Sequence, residues 1–499
     1  MAQITPVWAT AYTENYPFSI RENGMITDVN GNVYITGYIN DTGQVQQAIT
    51  LKYDNTGYLQ WSRIIDSIGG YTKIVMDDSS NIYIIGESVT ESLKITKYNS
   101  SGTLLWSKSY FGGGEVFSFF DMVVDDSSSV YLTGPCTDEM FRTAKVNKSG
   151  SLIWLATDSI ANGSSNSYIQ VDKNRNVYAV GRGGDTVQWV YLFKYNNAGV
   201  KQWVRYYSGN YTPGNAFPCD LKCDDKYVYV LAATRNNNNG EGDYAVVKYD
   251  FAGNQKWVGI YSYSVYYDDP IALTVDKSGN VYVTGNVDPG QCTVDAYGTV
   301  KFDSTGTLKW VKTYTQGNCN WDIPASIISD TLGNIYVTGQ SADNTSHENF
   351  ATIKYDSNGN ELWVARLNYF YNSDSQAQGV GLDNHGNVYV SGSSLQQNSS
   401  SIITAKYSYL TGIKEVENDL NIDFNVYPNP ASSQLKITIN TNKFKTSLIT
   451  ITNIVGEKVM TFIQDKPQAT IDISDLSQGL YFLELNINGR TAVKKIVKE

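Results

Sequence analysis

One short motif recurs eight times along the chain, and such a repeat leaves few folds open. It is a turn residue, a strand of β-branched and aromatic residues, and a glycine. Clean copies are Asn32-Val-Tyr-Ile-Thr-Gly37, Asn81-Ile-Tyr-Ile-Ile-Gly86, Ser129-Val-Tyr-Leu-Thr-Gly134 and Asn176-Val-Tyr-Ala-Val-Gly181. Three more are Asn280-Val-Tyr-Val-Thr-Gly285, Asn334-Ile-Tyr-Val-Thr-Gly339 and Asn387-Val-Tyr-Val-Ser-Gly392. A degenerate copy stands at Tyr227-Val-Tyr-Val-Leu-Ala232.

A second motif combines a Lys-aromatic strand, a turn and a Trp strand. Its lysines are Lys52, Lys97, Lys145, Lys194, Lys248, Lys301, Lys354 and Lys406. Its tryptophans are Trp8, Trp61, Trp106, Trp154, Trp203, Trp257, Trp310 and Trp363, successive ones 45 to 54 residues apart. That is the period of a four-stranded propeller blade. In one unit, strand a is Ile271 to Asp276, strand b Val281 to Thr284, strand c Thr299 to Phe302 and strand d Leu308 to Lys312. Asx-Gly turns join a to b and c to d, because Gly supplies positive φ and Asx side chains cap the turn.

The ends of the array fix its closure. Trp8 precedes any strand a, and the last unit, Gly381 to Lys406, has no Trp strand of its own. The strand around Val7 to Ala11 is therefore expected to complete the last blade, a closure that removes open sheet edges. The expected fold is all-β: an eight-bladed β-propeller over residues 1–408, a linker at 409–423, and a small Ig-like β-sandwich at 424–499. A monomer is expected.

Composition narrows the function classes. A net charge of -11 with no Lys/Arg-rich run argues against nucleic acid as partner. No apolar run is long enough for a transmembrane helix. The two histidines, His347 and His385, nearly exclude a His-rich zinc site or a His-based triad. The Asp-x-x-Gly-Asn turns lack the alternating acidic ligands of a calcium loop. No cofactor or metal is expected. Of the five cysteines, Cys136, Cys219, Cys223, Cys292 and Cys319, none forms a CxxC pair, and Cys219 and Cys223 are too far apart on one strand to bridge. Cys292 and Cys319 fall in loops of neighbouring blades on one face and are the candidate disulfide, with free thiols as the alternative.

With an aspartate, Gly-Asn-Val-Tyr-Val-Thr-Gly, Lys-aromatic-Asp and a Trp strand in each unit, residues 7 to 408 resemble the bacterial SBBP-type propeller repeats. The rhythm changes after Tyr409. Tyr427-Pro428-Asn429-Pro430, Gly456, Leu476, Gly479-Leu480-Tyr481 and the basic end Lys494, Lys495, Lys498 follow in order at the terminus. This segment resembles the type A C-terminal sorting domain of the type IX secretion system. The resemblance implies export across both membranes of a Gram-negative cell, contact with the type IX machinery, cleavage of the tag, and release or attachment at the outer-membrane surface. It also implies a signal peptide. The N-terminus has neither a basic nor a hydrophobic leader region, and Met1-Ala2-Gln3 is read as the scar of a removed one.

Residues repeated in every blade should hold the blade, and residues present once could do a job. By that rule the eight tryptophans are core and inter-blade packing, the eight strand-a aspartates are turn formers and the eight lysines are structural. The a–b and c–d turns make one plain face; the long, dissimilar b–c and d–a loops open on the other. Aromatics crowd that second face: Trp189, Tyr191, Tyr206, Tyr207, Tyr211, Tyr261, Tyr263, Tyr266, Tyr267, Trp321, Tyr369, Phe370 and Tyr371. Tyr211, Tyr263, Tyr266, Trp321, Tyr369 and Tyr371 are the candidate ligand contacts. Exposed aromatic platforms suit sugar stacking or a protein partner; packing of the loops on one another is the structural alternative.

The expected function is a secreted or surface-displayed binding and adhesion module for a glycan or protein, with no catalytic residues. The alternatives are a polysaccharide hydrolase or lyase using two of the loop carboxylates Asp268, Asp269, Asp322, Asp374, Glu241 and Glu348, and a purely structural surface component.

Overall fold

The chain forms two compact units, Met1–Ser408 and Tyr409–Glu499. The computed structural model describes residues 3–408 and 424–499 except for 14–18, 41–45, 66–67, 89–92, 112–120, 136–139, 161–163, 211–213, 237–241, 264–267, 289–295, 317–320, 343–346, 371–372, 397–398, 440–446, 454–457 and 488–489.

The first unit is eight sheets of four antiparallel strands a to d, consecutive in the chain in the first seven. Blade 1 comprises Ser19–Thr27, Val33–Asn40, Gln46–Tyr53 and Leu59–Ile65. Strand a of every blade lies against strand a of both neighbours, including that of blade 1 against that of blade 8, so the eight a strands ring a central axis. Blade 8 has its own Asp374–Leu382, Val388–Leu395 and Ser400–Tyr407, and takes Trp8–Thr13 as strand d. The expected wheel is therefore closed.

The register shows how faithful that closure is. Trp8 stands opposite Lys406, as Trp61 stands opposite Lys52 and Trp310 opposite Lys301. The start of the chain does more than close blade 8. Gln3–Ile4 runs parallel to strand d of blade 7, Glu361–Leu367, so one short segment staples two adjacent blades.

Each blade is built around the same polar and aromatic group. The aspartate after strand a accepts from backbone amides two and four residues on, as Asp276 does from Ser278 at 2.9 Å and Asn280 at 3.0 Å. Its other oxygen takes the Asn280 side chain and the Tyr282 hydroxyl. The equivalent tyrosine hydroxyl donates to the equivalent aspartate in all eight blades, at 2.7–3.5 Å. Over the same tyrosine ring lies the strand-c lysine, 4.6–5.3 Å from the centroid. Beyond that lysine in the same cross-strand row stands the strand-d tryptophan, 5.9–6.4 Å from the tyrosine centroid. Such tilted ring pairs add to the area they bury.

The tryptophan also reaches the next blade. Trp61 Nε1 donates to Ser100 O, Trp257 to Ser304 O, and across the closure Trp8 donates to Asn55 O at 3.0 Å. The turn glycine two residues past that carbonyl sits on the indole face. At Gly57, with φ +89°, a Cβ would lie 2.7 Å from Trp8 Cδ2, so both conformation and space require glycine. The glycine closing the repeated strand motif has a different reason. A Cβ on Gly339 would fall 2.2 Å from Ile323 O, where the bulged strand a crosses close to strand b.

One expectation needs correction. The tryptophans are inter-blade contacts but, apart from Trp363, they are only half-buried, because strand d is the outermost strand. Trp363 is 1% exposed. Gln3–Ile4 covers its strand, and Ile4 packs into the same apolar cluster.

The second unit is a small sandwich. Phe424–Tyr427, Gln434–Ile439 and Gln468–Asp472 form one sheet; Lys458–Gln464, Ser447–Asn453, Gly479–Ile487 and Arg490–Lys498 form the other. Alternate residues Leu435, Ile437 and Ile439 of the first meet Ile449, Ile451, Leu483 and Leu485 of the second.

Truncating Trp8 to Ala should destabilise the propeller as much as Trp61→Ala does, by about 2–4 kcal/mol, with Trp363→Ala costing more; urea unfolding of the three variants measures this. A second test lies at the closure, where Glu22 on strand a of blade 1 is buried against strand b of blade 8. Its carboxylate accepts from Ser391 Oγ at 2.7 Å, yet burial dominates and pushes its pKa up to about 8. Folding therefore takes up a proton here. Stability from this group is full below the unfolded value near 4.5 and declines up to pH 8, by at most about 1.4 kcal/mol per pH unit. Glu22→Gln should flatten that part of the stability–pH profile.

Candidate functional site

Strand directions place every b–c and d–a connection at one end of the blades, and this loop face is where the candidate contacts belong. Three of the six are described. Tyr263 stands after blade 5, Trp321 after blade 6 and Tyr369 after blade 7, exposed by 41%, 55% and 37%. They occupy consecutive blade junctions and form an arc. Tyr211, Tyr266 and Tyr371, with Tyr267, lie outside the described residues.

The other aromatics divide by role. Trp189 and Tyr206 are exposed and end neighbouring strands of blade 4, with Tyr206 edge-on to Tyr191 at 5.1 Å. Tyr261 is buried, Tyr207 packs on an apolar cluster, and Phe370 does likewise while meeting Tyr369 edge-on at 4.9 Å. Several aromatics expected in loops are thus strand residues whose rings anchor the loops.

The carboxylates of this face are largely committed to structure. Asp322 is fully buried and accepts from Thr315 Oγ1 at 2.7 Å and Gln316 N at 3.0 Å, clasping the loop that leads into blade 7. Burial holds it above the ordinary carboxylate range, with bonds from Ser341 and Thr315 pulling the other way. Asp268 clasps the preceding loop through Tyr263 N at 2.5 Å. Asp269 pairs with Arg235, Asp374 lies 3.3 Å from His347 Nδ1, and Glu348 accepts from Gln376. Glu241 lies outside the described residues.

The channel wall carries a device with no signal in the repeat motif. Asp121 on strand a of blade 3 bonds the Ile169 amide of blade 4, and Asp220 of blade 5 bonds the Leu273 amide of blade 6. Lys73 pairs with Asp121, and Lys222 with Asp220 at 2.8 Å. These carboxylates cross-link neighbouring a strands across the blade junctions.

The plain face is not uniform either. Blade 5 has the degenerate motif copy, and its a–b turn is one residue short, so Tyr227 stands where six other blades have the asparagine that clamps the turn aspartate and blade 3 has Ser129. An open cleft of about 630 Å³ lies there, lined by Asp224, Tyr227, Lys248, Asp276, Lys277 and Ser304 among others.

Cys219 and Cys223 are free, and burial pushes both thiols up to about 12, so they are protonated and unreactive at neutral pH. Cys136, Cys292 and Cys319 lie outside the described residues, and with them the candidate disulfide. Among the described residues no group of His, Cys, Asp and Glu is arranged to hold a metal.

In the second unit the terminal motifs converge. Asn429 donates from Nδ2 to Lys495 O and accepts from Val497 N, each at 2.8 Å. Ala431 continues this as a parallel bridge to Lys498. The Tyr427–Pro430 segment is thereby fastened, exposed, alongside the chain's last strand. Lys494 sits over the Phe424 ring, Tyr481 donates to Ser477 O, and Gly479 and Leu480 begin the strand paired with that last one. Gly456 lies outside the described residues. Asn429→Ala removes both bonds and should lower this unit's unfolding midpoint and the fraction of chain reaching the medium, measured together by urea unfolding and by fractionation of an expressing strain.

No curated protein matches the chain. Among solved structures it is similar to the β-propeller domain of the trilobed protease from Pyrococcus furiosus, at 11% identity and TM-score 0.41 over 71% of this chain and 97% of that one. It is also similar to an ulvan lyase of a polysaccharide lyase family, at 10% identity and TM-score 0.44 over 72% of this chain and 98% of that one. A third is the Pyrococcus horikoshii acylaminoacyl peptidase, at 8% identity and TM-score 0.43 over 75% of this chain and 57% of that one. Residues 425–499 match the family described as the secretion system C-terminal sorting domain. The chain is a β-propeller exported by the type IX secretion system through its C-terminal sorting domain.

Proposed function

We propose that the exported propeller is a carbohydrate-binding module of the cell surface or its surroundings, gripping sugar rings on the loop face. The observation that carries this reading is the arc of exposed rings, Tyr263, Trp321 and Tyr369, at three consecutive blade junctions. Exposed aromatic area costs free energy in water, and a sugar's C–H face recovers it. Buried aspartates bond residues beside those rings, Asp268 accepting from Tyr263 N and Asp322 from Thr315 Oγ1.

The same commitment of carboxylates favours binding over hydrolysis. Asp268 and Asp322, the two most buried of the set, serve as loop clasps, whereas a glycosidase pair needs two carboxyl groups facing one sugar.

The test is a glycan array probed with the full chain. At least one class of polysaccharide should be retained, Trp321→Ala and Tyr263→Ala should each weaken it about ten-fold, and no shortened or unsaturated product should form. Retention unchanged by both substitutions would remove the arc as the contact, and released oligosaccharides would favour an enzyme.

A further inference from the structure

The loop face carries one concentration of positive charge at odds with a chain of net charge -11. Arg182 ends strand b of blade 4, Val177–Gly183, and Arg235 lies near the end of strand b of blade 5, Tyr227–Asn236. Between them is Phe217 on strand a of blade 5, Gly214–Cys223, and hence beside the mouth of the central channel. The Arg182 guanidinium carbon lies 4.3 Å from the centre of that ring and the Arg235 carbon 5.2 Å. Two like charges thus share one aromatic ring.

Their neutralisation is unequal. Arg235 Nη2 pairs with Asp269 at 3.0 Å. Arg182 has only a neutral acceptor, Gln188 Oε1, 2.8 Å from its Nε, and among the described residues no carboxylate pairs with it. Asp220, further along the same strand, is occupied by Lys222 and by the amides of Leu221 and Leu273. Among the described residues the ion pair seen here is that of Arg235 with Asp269, and the planar fork of Arg182 keeps its outer N–H donors.

This arrangement is also built, since Gln188 is itself fixed. Its amide donates to Asn215 Oδ1 at 2.7 Å, its carbonyl accepts from Ala216 N at 3.0 Å, and its Nε2 donates to Gly184 O at 2.6 Å. Four residues of blades 4 and 5 therefore hold one guanidinium half-buried beside a second, where burial and the charge of Arg235 both act against it. Exposed Trp189 stands close in the same hairpin, next to the partner of Arg182 across strands b and c.

We propose that Arg182, Phe217 and Arg235 form an anion subsite that takes a carboxylate or sulfate group carried by a sugar of the bound glycan. This rests on the reading of the loop face as a glycan-binding surface and names the class of glycan, an acidic polysaccharide. The outer N–H pair of a guanidinium matches the two oxygens of either group.

The experiment measures binding of the full chain to polygalacturonate, dextran sulfate and neutral dextran by affinity electrophoresis, with stability checked by thermal unfolding. At least one anionic polymer should bind more tightly than dextran, and added salt should weaken it. Arg182→Gln should reduce that binding about ten-fold and Arg182→Lys by less. Asp269→Asn, which releases Arg235 from its partner, should strengthen it, a change of sign that loss of folding does not imitate. The polymer retained distinguishes carboxylate from sulfate. Anionic binding unchanged by both Arg182→Gln and Asp269→Asn overturns the subsite. If a neutral glycan binds through Trp321 while these two variants behave as wild type, the subsite falls and the glycan-binding reading stands. Absence of binding to any glycan, acidic or neutral, removes both.

Discussion

The propeller depends on one contact found at seven of its eight blade junctions: a tryptophan of one blade lying beneath the c–d turn of the next, with Trp363 covered by Gln3–Ile4 instead. Trp61 receives the turn at Ser100–Gly102, Trp257 that at Ser304–Gly306, and Trp8 that at Asn55–Gly57. Each indole is held from within its own blade by the buried tyrosine, whose hydroxyl is fixed by the turn aspartate. One motif thus shapes its own sheet and docks the neighbour. Blades of slightly different length can join the ring because the contact involves only a turn and a ring.

Closure uses the same contact under harder conditions. In blade 1 the paired Lys52 and Trp61 sit on adjoining strands of a hairpin, whereas Lys406 and Trp8 are roughly 400 residues apart. The added entropy of closing so long a loop is modest, about 3 kcal/mol, because it grows only with the logarithm of length. The structure supplies extra fastening where that cost falls, through Gln3–Ile4 on blade 7, Val7 N on Lys406 O, and Glu22 against blade 8.

Periodicity made the frame legible. Eight copies of the Tyr strand and eight tryptophans, one at the wrong end of the array, imply both blade number and ring closure. What periodicity could not show is what differs between blades. Among the described residues the Asp121 and Asp220 cross-links occur in two blades, and nothing in their local sequence marks them as reaching the next strand. Arg182 and Arg235 occupy different offsets from the repeated tyrosine, so no alignment of blades sets them side by side. The cleft at blade 5 does have a mark in the sequence, the degenerate Tyr227 copy with its one-residue deletion. Half-burial of the tryptophans was missed because residue type says nothing of which strand lies outermost.

Because the N-terminal segment forms the outer strand of blade 8, the chain leaves the propeller from Ser400–Tyr407, which is bonded on one flank to Val388–Leu395 and on the other to Trp8–Thr13. Any tension transmitted from the sorting domain would enter the ring through an interior strand. Such a strand has no free margin, so drawing it out of the ring breaks hydrogen bonds to both flanking ladders.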